Sequence, residues 1–296
     1  MDVAVTGSHG LIGTALIPAL RADGHRVLRL VREEPLGPDE VRWDPPSGAI
    51  DSEKLDGVDA VVHLAGAGIG DKKWTPARKQ LVLDSRTQGT SLLTRALAGL
   101  TRKPSVLVSA SAIGYYGDRG DELLSEDSSS GDDFGARVCR EWEAAATPAA
   151  DAGIRVVCVR TGLVQAASGG MLARLLLPFK LGAGGRLGSG KQYMSWIAID
   201  DEVSAIRHVL TTESVDGPVN LTAPNPVTNT DYTEILGRVL HRPTLIPTPM
   251  FGLKAVYGSE LVDTLLGSQR VSSEKLRASG FEFAYPDLEG ALRAVL

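Results

Sequence analysis

The chain has 296 residues, of which 43% are hydrophobic and 23% are charged, and its formal net charge is −5 at pH 7. This composition is typical of a soluble globular protein that is long enough for one large or two modest domains. The basic residues are scattered, which excludes an electrostatic footprint for nucleic acid. No apolar run is long enough to span a bilayer, and no leader is expected before the first strand, which begins at Val3. We therefore expect a cytoplasmic protein with no membrane or nucleic-acid partner.

The first predicted element is the buried strand Val3–Val5, followed at once by the glycine-rich run Thr6–Gly13 and an amphipathic helix. In such a turn Gly7 permits the sharp bend, Gly10 lets the backbone approach a pyrophosphate, and Gly13 lets the helix pack on the strand. The helix N-terminus then presents free N–H groups and a positive dipole end to the phosphates. An ordinary glycine-rich turn is the alternative. The residues expected to contact a dinucleotide here are Gly7, His9, Gly10, Leu11, Ile12 and Gly13.

The second predicted strand, Val27–Val31, ends in Arg32, at the place where an acidic residue would select NAD. A guanidinium fits the 2′-phosphate of NADP instead, because it is always charged and can bind an anion through two N–H groups. Glu33 and Glu34 follow directly and weaken the argument, and an ordinary surface arginine is the alternative. The sequence favours NADP as the cofactor.

The next strand, Ala60–Leu64, runs into the small residues Ala65–Gly68. These side chains let a cofactor lie against the backbone, so we expect Leu64, Ala65 and Gly66 to contact it. We interpret His63, at the end of this buried strand, as a packed and hydrogen-bonded residue rather than a catalytic base.

Further strands are predicted at Val106–Ser109 and Val156–Val159, and helices near residues 11–22, 75–98 and 134–150. This alternation favours a parallel sheet with helices on both faces. Beyond Gly162 we expect an apolar helix at Met171–Leu181 and a strand followed by a helix at Ile197–Val209. Prolines from Pro218 to Pro249 favour loops and short helices over more sheet.

The predicted fold class is α/β, a Rossmann-type doubly wound parallel sheet with a smaller α+β C-terminal substrate lobe. Residues 1–163 form the NADP-binding domain, to which 196–215 return. Residues 164–195 and 216–296 form the lobe. The cysteines, Cys139 and Cys158, lack metal-ligand spacing and an evident disulfide partner, so we expect reduced, packed thiols and no metal site.

Several motifs spread over the whole chain resemble the extended short-chain dehydrogenase/reductase superfamily, and within it an epimerase-like branch with its own short C-terminal domain. The matching segments are Trp74…Arg78-Lys79…Ser85-Arg86, Ser109–Gly117, Phe134…Glu141-Trp142-Glu143, Gly188…Asp201, Asn220–Val227 and Leu266–Arg270…Gly280-Phe281. The resemblance implies an NAD(P)-dependent protein, and it places Arg86, Ser109, Arg160 and Gly162 beside the cofactor. It also implies a homodimer, which nothing in the sequence tests.

Active members of that superfamily carry a Tyr-x-x-x-Lys pair that moves the substrate proton and holds the nicotinamide ribose. Phe134 and Val138 stand at the matching positions here, and with Trp142 they form a hydrophobic helical stripe. Of the usual catalytic group only the serine is matched, as Ser111.

The catalytic residues expected from these motifs are Ser111 and Tyr116, with the phenol acting as a general acid. A nearby cation, Arg86 or Arg137, would lower its pKa, and the alternative is a Tyr116 that anchors the loop. Expected walls of the substrate cleft are Trp74, Met171, Met194 and Trp196.

The function predicted from the sequence is an NADP-dependent oxidoreductase or epimerase that acts on a small molecule. A non-catalytic NADP(H)-binding redox sensor is the main alternative, and a scaffold with an empty site is a third reading.

Overall fold

The computed structural model describes residues 1–296 without a gap. Its strands are β1 (Asp2–Thr6), β2 (Arg26–Val31), β3 (Glu40–Asp44), β4 (Ala49–Ile50), β5 (Ala60–His63), β6 (Val106–Ala112), β7 (Leu123–Leu124), β8 (Arg155–Thr161), β9 (Leu163–Gln165), β10 (Tyr193–Met194), β11 (Trp196–Ala198), β12 (Gly217–Leu221), β13 (Val227–Thr228) and β14 (Arg270–Val271). Its helices are α1 (Leu11–Ala22), α2 (Pro76–Ala98), α3 (Phe134–Ala144), α4 (Thr147–Asp151), α5 (Gly170–Lys180), α6 (Ile199–Thr211), α7 (Asn229–Leu240), α8 (Met250–Tyr257), α9 (Ser259–Leu265), α10 (Glu274–Ala278) and α11 (Leu288–Val295).

One large sheet organises the molecule, with strand order β12-β8-β6-β5-β1-β2-β3-β4. All neighbouring strands run parallel except β3 and β4. Since parallel strands point the same way, the loops that follow β1, β5, β6 and β8 meet at one edge. This is the Rossmann-type α/β fold that the sequence predicts.

Each face of the sheet is covered by helices. Val3, Val5 and Leu16 belong to a core on one face, where α1 and α6 pack together. Ala4, Leu93 and Leu97 belong to the core on the other face, under α2. Strands buried on both faces read as continuous apolar runs, which is why β1, β2, β5, β6 and β8 could be located from the sequence.

A smaller lobe surrounds a separate core that includes Trp196, Tyr232 and Leu292. The chain leaves the large sheet through β9 and returns through β11, and these two strands pair in parallel. The C-terminal part of the lobe contacts the Rossmann domain through the parallel pairing of β14 with β7.

The structure departs from the sequence prediction in several elements, of which three bear on the sheet and its cover. The single helix expected at 134–150 is two, α3 and α4. β3, a full member of the large sheet, was not predicted. β12 is the edge strand of the large sheet, beside β8. Two expectations are therefore wrong for β12: that residues 218–249 add no sheet, and that residues 216–296 belong to the lobe. The remaining domain division stays a prediction.

Candidate functional site

At its three glycines the turn after β1 leaves little or no room for a Cβ. Gly7 has φ +68°, and a Cβ there would lie 2.8 Å from the carbonyl carbon and oxygen of Leu64. A Cβ on Gly13 would lie 2.3 Å from the Gly7 carbonyl oxygen, and one on Gly10 would lie 3.2 Å from it. No side chain caps the N-terminus of α1. Its first N–H groups therefore remain available to an anion.

The side chains of the turn divide into two groups. His9 is exposed, whereas Leu11 and Ile12 are half-buried. A Cβ on Gly169, at the entrance to α5, would lie 3.0 Å from Leu11 Cδ1. Leu11, at the start of α1, therefore lies against the start of α5, where the lobe begins.

A directed chain of hydrogen bonds joins the glycine turn to the next loop. Thr6 Oγ1 accepts hydrogen bonds from the N–H groups of Leu64 and Ala65 at 3.0 and 3.1 Å. Its own proton must therefore go to His63 Nδ1, 2.8 Å away, which leaves His63 Nε2–H to donate to Thr90 Oγ1 at 2.9 Å. Burial lowers the pKa of His63 to about 4. His63 is thus a neutral, fixed connector, in agreement with its interpretation as a packed residue.

Arg32 is exposed at the end of β2, and no ion pair engages its guanidinium. Of the two following acidic residues, Glu34 is paired with Arg42 at 2.7 Å and so does not neutralise Arg32. The basic group is therefore free to meet an anion beside the glycine turn.

Arg86 has a different position from the one expected of a cofactor contact. It is only 9% exposed and lies under the loop after β5, where it donates to the Ala67 carbonyl at 2.9 Å. Its guanidinium lies 4.7 Å from the Trp142 ring, and a Cβ on Gly66 would come within 3.1 Å of it. Arg86 therefore supports the Leu64–Gly68 backbone from beneath.

The two expected catalytic residues belong to one buried polar network. Ser111 Oγ donates to Glu143 Oε1 at 2.7 Å. Arg160 binds both oxygens of Glu143 at 2.9 Å and donates to the Tyr116 hydroxyl at 3.0 Å. The Tyr116 hydroxyl in turn donates to Asn220 Oδ1 at 2.7 Å.

This network commits Tyr116 to the interior. The side chain is fully buried, and burial raises the pKa of its hydroxyl although Arg160 acts in the opposite direction. The cation beside it is Arg160, not Arg86 or Arg137, and its charge is matched by Glu143. This geometry supports the alternative interpretation of Tyr116 as an anchor.

The remaining expected cofactor contacts lie within β6, near the end of β8 and directly after β8. Ser109 is buried, and its Oγ has no hydrogen-bond partner. Arg160 is 2% exposed and faces the network rather than the sheet edge. Gly162 lies where β8 turns into β9, and a Cβ there would lie 2.7 Å from the Ser195 carbonyl oxygen.

Helix α3 carries Phe134 and Val138, the residues that the resemblance matched to the Tyr-x-x-x-Lys positions. Phe134 packs edge-on against Trp74 with ring centroids 4.8 Å apart, and Lys79 Nζ lies 4.5 Å from its centroid. Val138 and Trp142 are buried. The three form the expected hydrophobic stripe.

A small pocket opens at the carboxyl ends of β6 and β8, next to the start of α5. Its apolar lining consists of Ile113, Leu163, Met171, Met194, Leu265 and Leu266. Its polar lining consists of Gln192, Tyr193, Ser195 and Gln269. Met171 and Met194 were expected here, whereas Trp74 packs on α3 and Trp196 lies in the lobe core. Tyr193 also lines the pocket and was not expected there.

A larger cavity, of about 400 Å³, lies at the opposite edge of the sheet. It is lined by Met1, His25, Arg207 and Phe281, among others. Met1 precedes β1, so this cavity is at the amino end of the strands, away from the glycine turn.

Two properties of the whole chain bear on the site. No helix is both long and apolar enough to cross a membrane. No group of three or more His, Cys, Asp or Glu side chains is arranged to hold a metal ion.

Family models match most of the chain. Residues 3–221 match the NAD dependent epimerase/dehydratase family, and residues 248–295 match a domain of unknown function, DUF1731.

Relatives and solved structures agree with these matches. Epimerase family protein MT2273 of Mycobacterium tuberculosis is 44% identical over 290 residues, covering 98% of this chain and 96% of the relative. The crystal structure of human epimerase family protein SDR39U1 with NADPH is similar with a TM-score of 0.91 and 36% identity, covering 100% of this chain and 99% of that one. A nucleoside-diphosphate sugar epimerase from Corynebacterium glutamicum has a TM-score of 0.83 and 39% identity, and the match covers 100% of this chain and 58% of that one.

Proposed function

This chain belongs to the NAD dependent epimerase/dehydratase family, and we propose that it binds NADPH and acts as an NADPH-dependent oxidoreductase or epimerase on a small molecule. The observation that carries the proposal is the pairing of an uncapped α1 N-terminus, which follows the crowded glycines Gly7 and Gly10, with the unpaired guanidinium of Arg32.

The residues present fit such a cofactor in a definite arrangement. The N–H groups at the start of α1 would receive the diphosphate, and Arg32 would receive the 2′-phosphate. Leu64, Ala65 and Gly66 would line its path toward the ends of β6 and β8. When bound, NADPH supplies a hydride. The human relative was crystallised with NADPH, which supports the same choice of cofactor.

The cofactor proposal is tested by titrating the purified protein with NADPH and with NADH while following nicotinamide fluorescence. We expect at least a tenfold preference for NADPH, since about 1.4 kcal/mol from one charged contact is enough. Arg32→Ala should reduce that preference to within about threefold and leave NADH affinity unchanged. Arg95→Ala, an exposed arginine on α2, is the matched control and should behave like wild type.

Two results would count against the proposal. Equal affinity of the wild-type protein for both cofactors would remove the assignment of Arg32 as the phosphate contact. Absence of binding by either cofactor would remove the enzyme proposal itself.

A non-catalytic NADPH-binding regulator is the second candidate, favoured by one observation. Ser111 and Tyr116, the expected proton-transfer groups, are both held in the buried network with Glu143 and Arg160. Such a protein would bind NADPH tightly and release no hydride. Stereospecific loss of deuterium from labelled NADPH to any metabolite of a cell extract decides against this candidate.

A further inference from the structure

Arg86 is a buried guanidinium that forms no ion pair. Only its Nη1 is hydrogen-bonded, to the carbonyl oxygens of Ala67 at 2.9 Å and Val82 at 3.1 Å, and neither acceptor carries a formal charge. Its side chain stays buried all the same. A buried cation is costly unless an anion faces it, so a ligand that supplies the missing charge would explain why the chain keeps Arg86.

The groups around Arg86 do not neutralise it. Burial lowers the pKa of Arg86, and the positive charge of Arg78 lowers it further, whereas the Cys139 thiol acts in the opposite direction. Burial raises the pKa of that thiol to about 12, so the thiol is uncharged at neutral pH. Cys139 therefore supplies no negative charge to Arg86.

Arg78 brings a second positive charge to the same loop. It donates from Nη2 to the Gly68 carbonyl, and its Nε is enclosed without a hydrogen-bond partner. Asp71 lies 3.8 Å from Arg78 Nη2 and 3.1 Å from Arg174 Nη2, so one exposed carboxylate serves two guanidiniums. Together with Arg86, the loop after β5 thus has three guanidiniums and one carboxylate.

The free edge of Arg86 has the geometry of an anion site. Its Nε and Nη2 form no hydrogen bond within the chain, and neither is among the enclosed polar atoms that lack a partner. Solvent therefore reaches this edge. Arg160 uses the same two nitrogens, Nε and Nη2, to bind both oxygens of Glu143 at 2.9 Å. The corresponding edge of Arg86 can bind an oxyanion in the same way.

The edge lies beside an exposed part of the site. A Cβ on Gly66 would lie 3.1 Å from Arg86 Cζ and 3.3 Å from Arg86 Nη1, and Gly66 itself is exposed. The guanidinium thus occupies the space that a side chain at Gly66 would take. Gly66 also belongs to the backbone that would line the path of the cofactor, so an anion held by Arg86 is a neighbour of the cofactor.

The charges of NADPH are matched elsewhere in the function proposed above. The α1 N-terminus would receive the diphosphate, and Arg32 would receive the 2′-phosphate. Arg86 and Arg78 belong to α2, on the far side of the loop after β5. Their charge is therefore left for the other molecule that this site binds, which is the substrate.

We propose that Arg86 and Arg78 form an anion subsite beside Gly66, and that it binds a carboxylate or phosphate group of the small-molecule substrate. A guanidinium suits both groups, since each offers two oxygens to two N–H donors. The proposal rests on the NADPH-dependent function proposed above and adds the charge of the substrate to it. The subsite binds and orients, and no bond is made or broken in it.

The test is a calorimetric titration of the NADPH-saturated protein with sodium phosphate and with sodium acetate, at an ionic strength held constant with sodium chloride. NADPH occupies the α1 N-terminus and Arg32, so the anion binding that remains reports the subsite. Arg86→Met removes the charge and keeps an unbranched side chain next to Trp142. Arg78→Met is the second variant, because Arg86 also supports the loop. Arg95→Met, at an exposed arginine of the same helix, is the matched control.

We expect the wild-type protein to bind at least one of the two anions with a dissociation constant of about 10 mM or tighter. Arg86→Met and Arg78→Met should each weaken that binding at least about tenfold, the effect of one lost charged contact. Arg95→Met should stay within about twofold of wild type, and Arg86→Met should keep its NADPH affinity within about threefold. Tighter binding of acetate marks the substrate group as a carboxylate, and tighter binding of phosphate marks it as a phosphate.

Four outcomes overturn the proposal. They are a wild-type protein that binds neither anion at about 10 mM or tighter, a folded Arg86→Met or Arg78→Met that binds within about tenfold of wild type, an equal loss in Arg95→Met, and a loss of NADPH affinity beyond about threefold in Arg86→Met. The last would assign Arg86 to the cofactor.

The NADPH titration is done first, and failure at that stage removes the proposed function. The anion titrations of cofactor-free wild type and cofactor-free Arg86→Met are then compared in its place. A tenfold difference between them would keep the subsite, and equal affinities would remove it, so the two failures are distinguished.

Discussion

A buried carboxyl on α6 makes the stability of this protein depend on pH. Glu202 is fully buried, its Oε1 accepts a hydrogen bond from Thr161 Oγ1 at 2.8 Å, and its Oε2 has no partner. Burial raises its pKa from 4.5 to about 8. The folded protein therefore keeps this carboxyl protonated at neutral pH.

The sign and size of the effect follow from that difference in pKa. Between pH 4.5 and about 8 the unfolded chain has already released the Glu202 proton while the folded chain retains it. Stability must then fall as pH rises, by about 1.4 kcal/mol per pH unit and by about 5 kcal/mol over the whole interval. This loss is comparable with the full stability of many domains.

Glu202→Gln isolates this contribution because the amide keeps the shape and does not titrate. Urea unfolding of both proteins between about pH 5.5 and 7.5 should show the variant gaining about 1.4 kcal/mol on wild type per pH unit. Glu234→Gln, an exposed position on α7, should run parallel to wild type. A difference between Glu202→Gln and wild type that stays constant with pH would refute a buried, protonated Glu202.

Two further predictions concern backbone space and the buried ion pair. Gly13→Ala should weaken NADPH binding at least about tenfold, since its Cβ would displace the Gly7 carbonyl, whereas Gly290→Ala, which meets no atom within 4 Å, should raise the unfolding free energy by about 1 kcal/mol. Arg160→Met should lower the unfolding free energy by about 3 kcal/mol, because Glu143, whose side chain is 16% exposed, loses its cation, and adding Glu143→Leu should restore most of it. A double variant no more stable than Arg160→Met would contradict this account.

The parts of the fold that were predicted correctly carry local signals. β1 and the Gly7–Gly13 turn are adjacent in the chain, and each glycine answers a steric requirement that the structure shows directly. The buried strands are recognisable because both of their faces are covered.

The sequence did not predict β12, because it contains Pro218 and prolines favour loops over strands. Pro218 pairs in register with Cys158 on one side only, since β12 is the edge of the sheet. Proline has no N–H to donate to a neighbouring strand. At the edge of a sheet one side has no neighbouring strand, so no hydrogen bond is lost there. The prolines between 218 and 249 therefore did not exclude a strand.

The roles of the site's side chains could not be predicted from the sequence, because they depend on hydrogen-bond partners far apart in the chain. Ser111 and Tyr116 have plausible side chains for proton transfer, but Glu143, Arg160 and Asn220 engage them in the interior. The pocket is assembled from four separate segments around residues 113, 163–171, 192–195 and 265–269. No periodicity or spacing marks Tyr193 as part of it.

The pairing of β14 with β7 has a consequence for the order of folding. It joins Arg270 to Leu123 and Val271 to Leu124, partners about 150 residues apart, and the Ser272 carbonyl then accepts a hydrogen bond from Asn220. Contacts of such long sequence separation form slowly, because the intervening chain must first be ordered. During synthesis the Rossmann sheet can therefore form before residues 265–269, which line one side of the pocket, are in place. A nascent chain that ends before residue 265 has the strands of the large sheet and the glycine turn, but it lacks the part of the pocket lining that Leu265, Leu266 and Gln269 supply.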